Sequence, residues 1–491
     1  MGDSLMALPQ YFPWISGIFS TEKDRELLVL KEPATGSDLA ELFVANEIDV
    51  DKAVSRAKES LQGIWGRTSP TERGRILHRA ADLLSERRIK FAELEARNVG
   101  KAISSVNGEI GGAIETLRFY ASVVAAQTGR SATLGGSLLT YSLHEPVGVC
   151  VQIVPWNYPL LMSIWKLAPA LAAGCAIVLK PDLKTPLSAL LLAETLHEAG
   201  VPEGVLSVLP GGATLGALLV GHKDVDKVAF TGSSATGSEV MRRASSPIKR
   251  LTLELGGKSP NIIFSDADLE DAIPSACWSI FYAAGQSCEA RSRILVEDSI
   301  FEEFVGGLVK SAEKIVIGDP LDPKTQVGSL ISREHRQRVH SYVLNAKAAG
   351  SQILLGGFIP PGEGFFYPPT IITNVKRGDD IEQQEVFGPV VTVQTFNNEE
   401  EAVEMANSTV YGLFASVWTR DSSRAHRLAR RIKSGMIGLN TPYTAFPGVS
   451  FGGYKQSGFG RELSFEALDT YTEIKSVIFA TGVRSANPFK L

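Results

Sequence analysis

Apolar residues recur three and four apart through most of residues 50–125. In VDKAVSRAKESLQGIWG (50–66) and TERGRILHRAADLLSERRIKFAELEARNVG (71–100) they mark the buried face of a helix. From residue 148 the pattern changes. VGVCVQIVP predicts a buried strand, LMSIWKLAPALAAG a helix and AIVLKP the next strand. SALLLAETLHEAG is a helix closed by Gly200, and GVLSVLP is a strand. KVAFTG turns into the helix SSATGSEVMRRAS, and KRLTLELGG closes the series. Short strands alternating with helices predict a parallel sheet with crossover helices, a Rossmann-like nucleotide-binding layout. A second α/β alternation starts near residue 261 with NIIFSD, DLEDAIPSACWSIFYAAG and SRILVED, and continues through 301–317, 334–355 and 386–440. The change of unit falls at Gly256 and Gly257, which predicts a hinge. SLLTYSLHEPVGVC (137–150) reads as a strand with no partner nearby in sequence, hence an arm. LDTYTEIKSVIFA reads as a strand returning to an edge.

The chain has 491 residues, more than one hydrophobic core organises, so two or three domains are expected. The 54 acidic and 49 basic residues leave a net charge of −5, and no basic block suits a nucleic-acid backbone. The apolar run 158–179 is long, yet Lys166, Pro159, Pro169 and Gly174 interrupt it, so a buried core fits better than a membrane span. MGDSLMALPQYFPWISG lacks the basic start of a signal peptide. The four cysteines form no CxxC pair, and a reducing cytoplasm is the expected location. The seven histidines form no HxH or HExxH cluster, so no metal is expected.

Two stretches carry candidate chemistry. FTGSSATG (230–237) lies between a strand and a helix, where successive N–H groups hold a pyrophosphate or simply make a tight turn. GQSCEARSRIL puts Cys288 just before Glu289 and Arg291; the thiol is a nucleophile or a small buried hydrophobe, and the local residues leave both readings open.

Several segments taken together resemble the NAD(P)-dependent aldehyde dehydrogenase superfamily. They are PWNYPLLMSIWK, KPDLKTPLSAL, FTGSSATG, LELGGKSPNIIFSDADL, GQSC, EVFGPV and FGGYKQSGFGREL, in the family's order and across nearly the whole chain. The resemblance implies a Rossmann-type dinucleotide-binding domain (1–127 and 147–255), a second α/β catalytic domain (256–471) and a small β oligomerisation element (128–146 and 472–491) that builds dimers or tetramers. It implies Cys288 as nucleophile, Glu254 as general base and Asn157 as oxyanion-holding amide, with Lys166 and Glu462 handling protons. Cofactor contacts are implied at Ile153, Val154, Pro155 and Trp156, and at Lys180, Pro181, Asp182 and Leu183. Gly212 joins Phe230, Thr231, Gly232 and Ser233, then Leu255 and Gly256, and lastly Glu385 and Phe387.

One position departs from the pattern. Leu183 stands where the family commonly has a glutamate that grips the adenosine ribose. Leucine neither accepts those hydrogen bonds nor repels a 2′-phosphate, so use of both NAD and NADP is expected. Tyr158, Met162 and Trp165 share a helix face, and with Tyr282 and Phe451 they match the family's substrate tunnel. Such a wall favours an apolar or aromatic aldehyde. It also suits a quaternary ammonium, which leaves betaine aldehyde or another aminoaldehyde as the alternative. A non-redox esterase and a non-catalytic scaffold are the remaining readings; the retained cofactor motifs, Cys288 and Glu254 speak against them.

Overall fold

A computed structural model describes residues 7–134, 138–443 and 445–481. The ends of two expected segments, residues 1–6 and 482–491, lie outside the described residues, as do 135–137 within the expected arm.

Most helices and strands read from the periodicity are present. Residues 47–123 form four helices: Glu47–Gln62, Pro70–Glu86, Arg88–Val99 and Ile103–Val123. The stretch 71–100, read as one continuous pattern, is broken at Arg87, whose backbone leaves helical geometry at φ −91° and ψ 10°. Arg87 is tied there by its side chain, which reaches Thr195 Oγ1 at 3.0 Å and also pairs with Glu198. Periodicity continues across the break, so the bend has no signature in the apolar pattern. The N-terminal strands Gln10–Tyr11, Trp14–Ile15 and Ile18–Phe19 were not anticipated, because two-residue strands are too short to show alternation.

The first large sheet has five parallel strands at its centre: Arg250–Glu254, Lys227–Thr231, Val149–Ile153, Ala176–Lys180 and Leu206–Val208. Antiparallel edges flank them, Gly458–Phe459 on one side and Trp14–Ile15 with Ile18–Phe19 on the other. The central strands are buried on both faces, as parallel sheets under crossover helices are. Alternation divides their side chains between two cores. Cys150, Ile177 and Leu179 face one, with the helices at 70–123 and Pro159–Ala173. Val149, Val151, Ile153 and Val178 face the other.

The second sheet runs Gln352–Leu355, Thr370–Thr373, Val390–Phe396, Arg293–Glu297, Pro260–Ile263, Phe414–Trp418 and Met436–Leu439. All its pairings are parallel except the first. Strand Leu138–Pro146 pairs antiparallel with the distant Thr472–Ala480 on one side and, contrary to the expectation of no nearby partner, with the neighbouring Ser131–Leu134 on the other; four residues are too few to show alternation. Among the described residues no helix is long and apolar enough to cross a membrane.

Candidate active site

The carboxyl ends of the parallel strands in the first sheet open onto a cavity of about 390 Å³. This is where open α/β sheets receive ligands. Strand Val149–Ile153 leads into Pro155, Trp156, Asn157 and Tyr158, and strand Lys227–Thr231 into Gly232 and Ser233. Strand Arg250–Glu254 ends on Glu254 itself; all of these residues line the cavity with Cys288.

Cys288 is presented by an unusual turn. Helix Leu269–Phe281 passes into a 3₁₀ turn, Tyr282–Gly285, in which Ala283, Ala284 and Gly285 all have positive φ (51°, 55° and 69°). Two alanines in the left-handed region cost about 1–2 kcal/mol each. Gly285 has no alternative, since a Cβ there would overlap the Gly388 carbonyl. Gln286 fastens the turn: its Nε2 donates to Ala283 O at 3.2 Å and its Oε1 accepts the Ile331 N–H at 2.9 Å. The Gln286 carbonyl accepts Asn157 Nδ2 at 2.8 Å, so the amide is anchored two residues before the thiol. One Nδ2 hydrogen remains for the cavity. Burial pushes the Cys288 thiol well above the ordinary range, and the carboxylates of Glu289, Glu385 and Glu254 push it the same way.

Glu254 is buried, and neither carboxyl oxygen has a hydrogen-bond partner among the described residues. Burial and the charge of Glu462 hold it well above the carboxylate range, against the pull of Lys166 and Arg461. Lys166 follows Trp165 on helix Pro159–Ala173 but turns away from the cavity lining, into a buried ion pair with Glu462. Glu462 is held opposite Phe451 by a pair of backbone hydrogen bonds of 2.8 and 2.9 Å. An unsatisfied buried carboxyl beside a half-exposed thiol is costly as mere structure and suited to holding a water.

The other lining group consists of Pro155, Trp156, Thr231, Gly232, Ser233, Leu255, Gly256, Glu385 and Phe387. Several features there fit a dinucleotide. Ser233 caps helix Ser234–Ala244, its Oγ accepting the Thr236 N–H at 3.3 Å. The Thr231 hydroxyl is buried with no partner among the described residues. Glu385 Oε1 accepts the Gly257 N–H at 2.9 Å, and burial raises the carboxyl to about 7. A Cβ on Gly256 would overlap Glu385, so the backbone must be bare there. Ile153, Val154, Lys180, Pro181, Asp182, Leu183, Gly212 and Phe230 do not reach the cavity lining. Lys180 is buried at the end of its strand, where its Nζ meets only the Pro181 carbonyl at 3.4 Å among the described residues. Asp182 Oδ1 is used within its own turn, accepting the Lys184 N–H at 2.9 Å. The Leu183 side chain lies 3.8 Å from the place a Cβ of Gly212 would occupy.

Tyr158, Met162, Trp165, Tyr282 and Phe451 all line the cavity. Trp165 and Phe451 meet edge to face at 5.0 Å. Sequence reasoning missed Glu109, Trp278, Arg338, Tyr443 and Phe446, which line it too. Glu109 and Trp278 had a signal. Glu109 interrupts the apolar face formed by Val106, Ile110, Ala113 and Leu117, and Trp278 lies four residues before Tyr282. Tyr443 and Phe446 sit in an irregular loop with no period to betray them.

Comparison with known proteins adds the following. The model of the Aldehyde dehydrogenase family matches residues 19–477. DhaS of Bacillus subtilis (strain 168) is 44% identical over 468 residues, 94% of each chain. A betaine aldehyde dehydrogenase of Brucella anthropi is 42% identical over 483 residues, 97% of this chain and 99% of its own. The betaine aldehyde dehydrogenase of Staphylococcus aureus, solved in complex with NAD+, superposes with a TM-score of 0.95 at 36% identity, covering 99% of this chain and 97% of that one. The NAD+ complex of an aldehyde dehydrogenase from Bacillus cereus gives 0.94 at 42% identity, covering 96% and 97%.

Proposed function

The chain belongs to the aldehyde dehydrogenase family, and from that premise we propose that it oxidises an apolar or aromatic aldehyde to the carboxylic acid, with NAD or NADP as hydride acceptor. The observation that carries this reading is the meeting of Cys288, Asn157 and Glu254 in one cavity with Gly232, Ser233 and Glu385.

The thiolate of Cys288 adds to the aldehyde carbon. Negative charge grows on the carbonyl oxygen, and the free Nδ2 hydrogen of Asn157 and the Cys288 N–H donate to it. A dinucleotide held by Gly232, Ser233 and Glu385 would supply the hydride acceptor for that carbon, and loss of the hydride leaves a thioester on Cys288. Glu254, its oxygens unclaimed, draws a proton from the water that attacks the thioester. The charges of the Lys166–Glu462 pair act on Glu254 from behind, which supports a part for the pair in handling that proton. Ser233 and the helix start behind it would hold the pyrophosphate. Glu385 would hold the nicotinamide ribose, and Lys180 and Leu183 would face the adenosine ribose. The relatives solved with NAD+ support a dinucleotide as the cofactor.

The aromatic wall supports an apolar or aromatic aldehyde. A second reading, an aminoaldehyde such as betaine aldehyde, is favoured by Glu109 and Glu289 on the same cavity and by the relatives that carry that name. The domain division at 1–127 with 147–255, 256–471, and 128–146 with 472–491 is retained as part of the proposal. In the three-stranded sheet of Ser131–Leu134, Leu138–Pro146 and Thr472–Ala480, Leu143, Ile474, Ile478 and Phe479 are exposed, which supports its use in a homodimer or homotetramer. Four free cysteines suit a cytoplasmic location. A panel of apolar, aromatic and cationic aldehydes, assayed by absorbance of the reduced cofactor with NAD and NADP in parallel, tests the reading. Oxidation of none of them overturns it.

A further inference from the structure

Five carboxylates line the cavity: Glu109, Glu254, Glu289, Glu385 and Glu462. Arg338 is the one cationic side chain on the lining among the described residues. The cations that balance three of these acids stand behind the wall. Lys101 pairs with Glu109, Arg291 with Glu289 and Lys166 with Glu462; each of these cations is at most 2% exposed and none lines the cavity. A substrate entering the cavity therefore meets oxygen, with the compensating charge shielded.

Glu289 is the most tightly placed of these acids. It follows the nucleophile directly in the chain. Ser287 Oγ donates to its Oε1 at 3.1 Å, and Arg291 Nη1 to its Oε2. Arg291 is itself fixed. Its Nε donates to Ser416 Oγ at 3.1 Å, its Nη2 to the Pro442 carbonyl, and its guanidinium lies 4.5 Å from the centre of the Phe414 ring. Two donors hold the Glu289 carboxylate at one place, while its side chain keeps 15% exposure and lines the cavity. Among the charges acting on the Cys288 thiol, that of Glu289 is the strongest.

We propose that Glu289 is a specificity-determining charge filter, a carboxylate fixed beside the nucleophile that turns away aldehydes carrying a negative group and admits neutral or cationic ones. The proposal rests on the aldehyde-oxidising reading above. An anionic aldehyde must bring its charge toward Glu289 to place its carbonyl at Cys288, and Arg291 is too deeply enclosed to compensate. Repulsion across a partly buried site is worth a factor of about ten or more at such range.

The test uses the full-length enzyme and three aldehydes of equal chain length: one neutral, one ending in a carboxylate and one ending in a trimethylammonium group. In the parent, kcat/KM for the carboxylate aldehyde should lie at least about tenfold below that for the neutral one. E289Q keeps one oxygen to accept from Arg291, turns its amide NH2 to the Ser287 hydroxyl, which can accept, and removes the charge. It should raise the carboxylate-to-neutral ratio by about tenfold, chiefly through KM, and lower the ammonium-to-neutral ratio. Because each readout is a ratio, a general loss of activity cancels. If the unpaired Arg291 prevents E289Q from folding, the double variant E289Q/R291M removes both buried charges together and is read in the same way. Unmoved ratios in the folded variant, or a parent that uses all three aldehydes alike, overturn the filter. Failure of the parent to oxidise even the neutral and cationic aldehydes overturns the functional reading instead.

Discussion

The backbone of Gly257 lies against the carbonyl oxygen of Cys288, so close that a Cβ on Gly257 would overlap it. The link between the two large sheets and the loop that presents the thiol are thus in direct contact, with no room for a methyl group between them. Gly257→Ala should displace Cys288. Overpacking of this kind costs about 1–3 kcal/mol of stability. A shift near 1 Å at the reacting atom costs about a hundredfold in kcat. Thermal melts and steady-state kinetics check both; wild-type turnover would show that the Cys288 loop moves aside freely.

Cys288→Ala should abolish aldehyde oxidation and leave dinucleotide binding nearly intact. The substitution removes the thiol and little volume, and Glu385, Gly232 and Ser233 are untouched. Turnover within about tenfold of the parent would rule Cys288 out as the nucleophile.

Glu254→Gln should separate the two halves of the reaction. Addition and hydride transfer do not need the base, whereas thioester hydrolysis does. Rapid mixing should give a burst of reduced cofactor followed by a steady state slowed by about a hundredfold or more. An unchanged steady state would mean that another group activates the water.

Both reacting groups should respond to pH in the same direction. Burial and the facing carboxylates of Glu289, Glu385 and Glu254 raise the Cys288 thiol. Burial and Glu462 raise Glu254. Each works in its deprotonated form, so a raised value means that activity climbs with pH and is lost on acidification. Iodoacetamide alkylation of Cys288 in the cofactor-free enzyme should keep accelerating from about pH 7 to about pH 10. A plateau near neutrality would contradict the arrangement.

Leu183→Glu should raise affinity for NAD and weaken NADP through repulsion of the 2′-phosphate. Hydrogen bonds to a charged group contribute about 1.5–3 kcal/mol, so the NAD/NADP ratio should move by roughly ten- to a hundredfold. The parent should use both cofactors with a preference under about a hundredfold. Titration of each dinucleotide into both proteins measures this. A ratio that does not move would show that Leu183 faces away from the ribose.

What the chain disclosed in advance follows from range. The helix carrying Met162 and Trp165 and the strands ending at Ile153, Lys180, Thr231 and Glu254 are local patterns, and local patterns survive in a single sequence. Cys288, Asn157 and Glu254 were legible through motif order, although nothing in their neighbourhoods showed that they meet. The break at Arg87 and the enclosure of Arg291 depend on residues more than a hundred positions away, and the left-handed Ala283 and Ala284 on a turn that Gln286 fastens to Ile331. Tyr443 and Phe446 reach the cavity from a loop, where neither helix nor strand period applies.

The Lys166–Glu462 pair joins residues 296 positions apart, and strand Arg250–Glu254 is completed by Gly458–Phe459. During synthesis, the strand ending at Glu254 emerges from the ribosome long before either partner exists. Until residues 458–462 arrive, Lys166 is a cation without its counterion in an apolar helix, and the sheet edge beside Glu254 is open. The growing chain thus carries a nearly complete nucleotide fold with one sheet edge open and one buried lysine unpaired. A chain that stops short of Glu462 keeps Cys288 and Glu254 but leaves Lys166 without its buried counterion, so the charge balance behind the base is completed only by residues 458–462.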